Sequence, residues 1–235
     1  MSNTYLDLLA YFGIGGAHPG GFNLTKSIFE KEPILPTESV LDIGCGTGQT
    51  AAFLAKKYDC QVTAIDNHPI MVEKARERMK SSQCRVNVME GDIQKLKIAD
   101  DSIDLVISES VIIFTDINKT LTELARVLKS EGSIIIIEMT ADQYISEAMR
   151  RKACRLYGIR EILTAEEWKV RLQQAGFHQI EIIDTPLELI PSDIEDINPS
   201  NHINKEYFDL WEEHNEFIQL SQQYISYRVF KCRLD

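Results

Sequence analysis

VLDIGCGTGQT, Val40 to Thr50, decides the fold of this chain. A short apolar run, Ser39 to Ile43, passes straight into Gly44, Gly46 and Gly48, and then into a helical pattern from Thr47 to Lys57. A nearly continuous apolar run of this length reads as a strand covered on both faces. The glycines permit a tight turn and let a ligand lie against bare backbone. Amides at the start of the following helix can meet an anionic or polar group. An acid, Asp42, precedes the loop, and the spacing is G-x-G-x-G. Gln49 stands where G-x-G-x-x-G would need glycine, so the dinucleotide pattern is not met.

Working outward, short β-branched runs alternate with longer helical patterns, the signature of a parallel α/β sheet. Gln61 to Ile65 is a second strand and Pro69 to Lys80 its helix. Val86 to Met89 is a third strand and Ile103 to Ser108 a fourth, followed by a helix from Ile117 to Leu128. Ser133 to Glu138 is a fifth strand. Pro69 suits a first helical turn, and Asp116 is placed to cap the helix with Leu121, Leu124 and Leu128 on one stripe. Gly132 is read as the stop of that helix. Thr164 and Glu167 form a capping box before a helix that ends at Gly176.

Beyond the fifth strand the pattern loosens. Asp142 to Tyr157 reads as an amphipathic helix, Phe177 to Ile183 as a strand, Pro186 to Asn204 as a loop, Lys205 to Gln222 as a helix and Tyr224 to Leu234 as a last strand. The first 38 residues precede the first strand. They carry a helix from Thr4 to about Phe12, a loop GIGGAHPGG from Gly13 to Gly21, and a second helix to about Lys31. We therefore expect one domain over residues 1–235: an N-terminal helical lid (1–38), a ligand-binding core (39–140), and later helices with the last two strands (141–235).

Composition narrows the classes of partner. A chain of 235 residues can bury a full core without disulfides or metal. No apolar run approaches the ~20 residues needed to span a bilayer, and the N-terminus lacks the basic start of a secretory signal. A net charge of −11 argues against extended phosphate-backbone contacts, so no nucleic-acid partner is expected. Cys45, Cys60, Cys84, Cys154 and Cys232 are scattered, with neither metal-ligand spacing nor a disulfide framework. Reduced thiols in the cytoplasm, in a monomer or homodimer that binds no membrane and no metal, are the expectation.

Two further acids stand at strand ends. Asp66 closes VTAID about 20 residues past the glycine loop, where an acid can hold ribose hydroxyls. Asp92 follows the third strand in GDIQKL, where it can accept a hydrogen bond from an adenine amino group. Ser108, Glu109 and Ser110 leave the fourth strand beside the crevice where open α/β sheets bind ligands.

Together, VLDIGCGTG, VTAIDNHP, EGDIQKL, IDLVISESV and RVLKSEGSIIIIE, in this order, resemble class I S-adenosylmethionine (SAM)-dependent methyltransferases over about Val40 to Glu138. The resemblance implies a Rossmann-like seven-stranded sheet in the order 3-2-1-4-5-7-6 with strand seven antiparallel. It implies that Asp42 and the loop Gly44, Cys45, Gly46 and Gly48 hold the methionine part of SAM. Asp66, with Asn67 beside it, would take the ribose, while Asp92 and the backbone of Ile93 would meet adenine. Ser108 and Glu109 complete the expected cofactor site, whose product is S-adenosylhomocysteine (SAH). The insertion before the last strand departs from the compact hairpin usual there.

Methyl transfer needs alignment and exclusion of water more than covalent help. An O–H or N–H nucleophile can also need a base, and Glu109 at the fourth-strand exit and His18 in the glycine-rich loop are the candidates. Tyr11, His18 and Glu138 are candidate walls of an acceptor pocket, as are Tyr5 and Phe12. The fourth strand runs into SESV rather than an Asn/Asp-Pro-Pro-aromatic segment, and no Pro-Cys pair occurs. A small-molecule acceptor therefore fits better than a nucleic-acid base. Two rival readings remain at this level: a nucleotide-dependent oxidoreductase, which Gln49 and GDI disfavour, and a SAM-binding protein without catalysis.

Overall fold

The structure, a computed structural model, describes residues 4–185 and 196–234. Seven strands form one sheet: β1 (Ser39–Ile43), β2 (Gln61–Asp66), β3 (Val86–Glu90), β4 (Ile103–Glu109), β5 (Leu128–Ala141), β6 (Phe177–Ile183) and β7 (Ile225–Leu234). Their order is β3-β2-β1-β4-β5-β7-β6. β1 to β5 pair in parallel, and β7 runs antiparallel to both neighbours. This is the arrangement the resemblance implied.

Alternate residues of each strand feed opposite layers of core. Val40, Leu105, Ile107, Ile135 and Ile137 pack into one layer. Leu41, Ile43, Val106, Ile134 and Ile136 pack into the other. The first layer meets the helices α1 (Thr4–Phe12), α2 (Gly21–Phe29), α3 (Gln49–Tyr58), α4 (Pro69–Ser82), α6 (Glu147–Tyr157) and α8 (Lys205–Ser221). The second meets α5 (Ile117–Val127) and α7 (Ala165–Gln174). Burial on both faces is why the strands read as continuous apolar runs rather than alternating ones.

Helix starts follow the sequence closely. His68 caps α4 with Pro69 in the first turn, and Asp116 accepts the Lys119 N–H at 3.2 Å. The Thr164–Glu167 capping box is closed in both directions. Two details differ. Gly132 does not end α5: that helix stops at Val127 and the chain enters β5 at Leu128. Ile103 pairs with Leu128 and Leu105 with Ser133, so residues 129–132 bulge out of the ladder. A Cβ on Gly132 would lie 3.0 Å from the Asp104 carbonyl oxygen, so its bare Cα belongs to the bulge. The helix expected from Asp142 begins only at Glu147. Asp142 donates its N–H to Tyr224 O at 2.7 Å and accepts the Tyr144 N–H at 2.8 Å, which commits it to a turn. Of the loop expected from Pro186 to Asn204, residues 186–195 lie outside the described residues. The remainder is irregular, apart from an isolated bridge between Ile197 and Ile14.

The N-terminal helices are part of the core rather than a cover laid on it. Leu8 and Ala10 are fully buried, and Phe29 is 1% exposed, all in the layer that also holds β1, β4 and β5. Removing the Phe29 ring would cost roughly 3–5 kcal/mol.

Candidate active site

The carboxyl ends of β1, β2 and β4 open into a cavity of about 270 Å3 that runs from the glycine loop to the inner faces of α1, α6 and α8. Its glycine end is charged. Gly44, Gly46 and Gly48 all have positive φ, the left-handed region that glycine adopts without cost. A Cβ on Gly44 would fall 2.4 Å from Val111, so that position must stay bare to pack the loop. Gly46 is different: the nearest atom to its Cβ position is Met71 Cε at 4.0 Å, so its open side faces the cavity.

Asp66 accepts the Gly46 N–H at 2.9 Å and the His68 N–H at 2.8 Å, which ties the tip of β2 to the glycine loop. Burial pushes its carboxyl above the ordinary range despite these two bonds. Asp42 is buried more deeply, 2% exposed, and its Oδ2 has no hydrogen-bond partner among the described residues. Burial, with Glu109 and Asp66 nearby, holds its carboxyl well above the usual value. Burial and the same acid pair, Asp42 and Asp66, push the Cys45 thiol up as well.

Glu109 stands opposite. Its Oε2 accepts the Thr50 hydroxyl at 2.7 Å and its Oε1 accepts the Thr25 hydroxyl at 2.6 Å. The Thr25 proton is thereby committed to Glu109, leaving its oxygen to accept from His18 Nε2 at 3.1 Å. His18 Nδ1 faces the Pro19 carbonyl at 3.1 Å, and Nε2 lies 3.6 Å from Glu109. The glycine-rich loop and the fourth-strand exit, 91 positions apart in sequence (109 − 18), are thus joined through one threonine.

The other end of the cavity is aromatic and neutral. Tyr5 meets Tyr157 edge to face at 4.8 Å, and Tyr157 Oη bonds His214 Nδ1 at 3.1 Å. Trp211 leans on His214 at 5.4 Å, and Phe114 lies stacked against Tyr5. Burial lowers the His214 pKa to about 4, so its ring is uncharged at neutral pH.

The expected site residues divide into two groups. Asp42, Gly44, Cys45, Gly46, Asp66, Asn67, Ile93, Glu109 and His18 all line the cavity. The others lie behind or beside it. Gly48 packs on Met79 and Ala75, and Ser108 is fully buried with no partner for its hydroxyl among the described residues. Asp92 is exposed and accepts the Gln94 N–H at 2.9 Å. Tyr11 stacks on Tyr207 at 5.2 Å. Glu138, expected as a pocket wall, is fully buried and accepts the N–H groups of Val111 and Ile112, at 3.0 and 2.7 Å. Its two accepted bonds steady the start of the 3-10 turn Ile112–Phe114 instead. Thr25, Thr50, Tyr157, Trp211 and His214 escaped the sequence reading. For the last two a signal existed: Trp211, His214, Ile218 and Ser221 recur at helical spacing on one face of α8.

The family described as a methyltransferase domain matches residues 40–132, β1 through the bulge of β5. An uncharacterized methyltransferase of Bacillus subtilis, YodH, is 33% identical over 233 residues, covering 97% of this chain and 98% of its own length. The chain belongs to the class I SAM-dependent methyltransferases. This methyltransferase is also 29% identical over 179 residues to the methyltransferase GfsG of Streptomyces halstedii, covering 73% of this chain and 64% of that one. In fold it is similar to Haemonchus contortus phosphoethanolamine N-methyltransferase 2, solved with phosphomonomethylethanolamine and SAH. The TM-score is 0.77 at 21% identity, covering 98% of this chain and 58% of that one. Its reaction is SAM-dependent methyl transfer to an unspecified acceptor. The glycine end suits that cofactor: an unpartnered buried carboxylate oxygen on Asp42 and the open side of Gly46 leave a polar, backbone-lined cradle.

Proposed function

We propose that the methyltransferase acts on a small molecule, held at the aromatic end of the cavity while SAM lies at the glycine end. The observation that carries this reading is the single cavity joining the two ends. Its lining, apolar with a few convergent polar groups, is that of a small-molecule site. Asp42 and the Gly44–Gly46 backbone would hold the methionine part, Asp66 and Asn67 the ribose, and the Ile93 backbone the adenine. When bound, SAM supplies an electrophilic methyl group on a cationic sulfur. Asp42, Asp66 and Glu109 put negative charge around that cation in a site shielded from water, where such attraction is strong.

The residues of the chain then have three tasks. The aromatic end orients the acceptor for in-line attack. Glu109 takes up the proton that the acceptor gives up, and His18, linked to it through Thr25, holds it in place. The segment Gly13–Gly21 closes the cavity: Gly16, Ala17, His18 and Pro19 line it, and Gly15 donates its N–H to Asp196 O at 2.9 Å. Closure would exclude water and fix the acceptor, and this segment is the hinged part of an otherwise packed N-terminal element. Among the described residues no helix is long and apolar enough to cross a membrane. Five free cysteines support a reducing, cytoplasmic setting.

The deciding experiment is transfer of labelled methyl from SAM into metabolite pools, with Glu109→Gln and His18→Ala beside the wild type. Turnover should fall in both variants while SAH binding persists. SAH binding with no transfer to any pool would return the protein to a SAM-binding role without catalysis. Hydrogen exchange on 13–22 should slow when SAH is added, and equal exchange in both states would remove the lid.

A further inference from the structure

The charges that line the cavity are all of one sign. Asp42, Asp66 and Glu109 line it, and among the described residues no lysine or arginine does. The stretches outside the described residues, 1–3, 186–195 and 235, supply neither residue type in the sequence. The remaining sources of positive charge are three histidines, and none is available to an anion. His18 is tied to Thr25 and the Pro19 carbonyl through its ring nitrogens and lies 3.6 Å from Glu109, which already pairs it. His68 is 3.2 Å from Asp7. His214, whose Nδ1 bonds Tyr157, is kept neutral by burial. Two cations of α4, the helix that lends Met71 to the lining, are engaged elsewhere: Lys74 on the Asn198 carbonyl, and Arg78 on Thr47 and Asp196.

An anionic group entering this cavity would give up its hydration for a wall with no counter-charge and with three carboxylates at the far end. Burying a charge without a partner is among the largest penalties a site can impose. The polar atoms at the aromatic end, on Tyr5, Tyr157, His214, Asn215 and Ser221, all belong to neutral groups. The half-buried His214 and Asn215 can orient a hydroxyl, while the half-buried side chains of Leu6, Phe114, Met139 and Trp211 offer apolar surface. We infer that the aromatic end takes a neutral, ring-bearing hydroxy compound and excludes acceptors that carry phosphate or carboxylate. The inference rests on the methyltransferase reading of the same site and narrows its substrate class.

A matched pair of probes isolates the charge: 2-naphthol and 2-naphthyl phosphate share a ring and differ in the phosphate. Calorimetry would first titrate SAH into the whole protein, and then each probe into the SAH-loaded protein. Loss of SAH binding would break the cofactor reading itself, and is seen before any probe is added. With SAH bound, 2-naphthol should bind tighter than 2-naphthyl phosphate by about tenfold or more, the size of effect that one unpaired charge produces. Asn215→Arg, which places a cation at the partly exposed rim, should raise the affinity for the phosphate ester and narrow or reverse that preference. The inference is overturned if the wild type binds the two probes equally, prefers the phosphate ester or binds neither. It is also overturned if Asn215→Arg folds, binds SAH and leaves the preference unchanged.

Discussion

The two ends of the cavity are built by opposite means. The glycine end comes from neighbouring strand tips: Asp42, Gly46 and Asp66 lie within 25 positions of each other, and a backbone N–H bond ties Gly46 to Asp66. The aromatic end collects Tyr5, Phe114, Tyr157 and Trp211 from α1, the 3-10 turn, α6 and α8. One end is a charged, backbone-lined cradle suited to a fixed cofactor. The other is a set of neutral side chains on separate helices, which can change without disturbing the cradle. The difference teaches that cofactor use and acceptor choice are separable in this chain.

Breaking the cradle should give the largest effect. In Gly46→Val the side chain would project into the open side where the cofactor backbone lies, and φ is +52° there. SAH affinity should fall at least about 100-fold, or by about 2.8 kcal/mol, and the strained φ should lower the thermal midpoint as well. A folded variant that binds normally would show that the loop does not cradle the cofactor. Asp66→Ala should weaken SAM binding by roughly 1.5–3 kcal/mol for each charge-assisted bond lost. Equal dissociation constants in isothermal titration would take Asp66 out of the site.

The aromatic end should reveal itself through pH rather than through SAM. The folded pKa of His214, about 4, lies below its ordinary value of 6.5, so the unfolded chain protonates first as pH falls. Its contribution is complete above about 6.5 and is lost on acidification toward about 4, by at most roughly 3 kcal/mol. Chemical denaturation across that window should show the loss, and His214→Gln should flatten it while leaving SAH affinity within about twofold. Coupling of the pH profile to SAH affinity would join two ends that the structure keeps apart.

The smallest effect concerns Glu138, which holds the turn between the ends. Burial raises its carboxyl to about 8 from 4.5, so the folded chain retains a proton that the unfolded chain has released. Its contribution is present below about 4.5 and is lost as pH rises toward about 8. Glu138→Gln keeps one acceptor oxygen for Val111 and Ile112, so the net change below about pH 4.5, where Glu138 is protonated in both states, should be about 1 kcal/mol or less. The variant should gain on the wild type as pH rises through that window. A difference that does not vary with pH would mean that Glu138 stays ionised when folded.

Much of this could be read before any coordinates. The glycine loop, Asp42 and Asp66 belong to strand–loop–helix units in which local sequence sets the geometry: a positive φ needs glycine, and a strand tip places its acid. The strand pattern survived because burial on both faces leaves an unbroken apolar run. Caps at Asp116 and Thr164 were legible for the same reason, each being a bond made within three residues. Gly132 and Asp142 misled because competing partners lay far away in sequence, on Asp104 and Tyr224.

What the sequence determined by itself was therefore the sheet, the glycine loop with its flanking acids, and the family, since each is encoded in short contiguous stretches. Tertiary structure alone decided that Glu138 supports a turn rather than a pocket. It also tied Thr25 to Glu109 and His18, and made Tyr5, Tyr157 and His214 face one another without a cation between them. Those outcomes depend on how the helices pack across the sheet, where residues more than 200 positions apart meet (Tyr5 with His214). No local periodicity records such distances, because the free energy that fixes them comes from burying separate faces together.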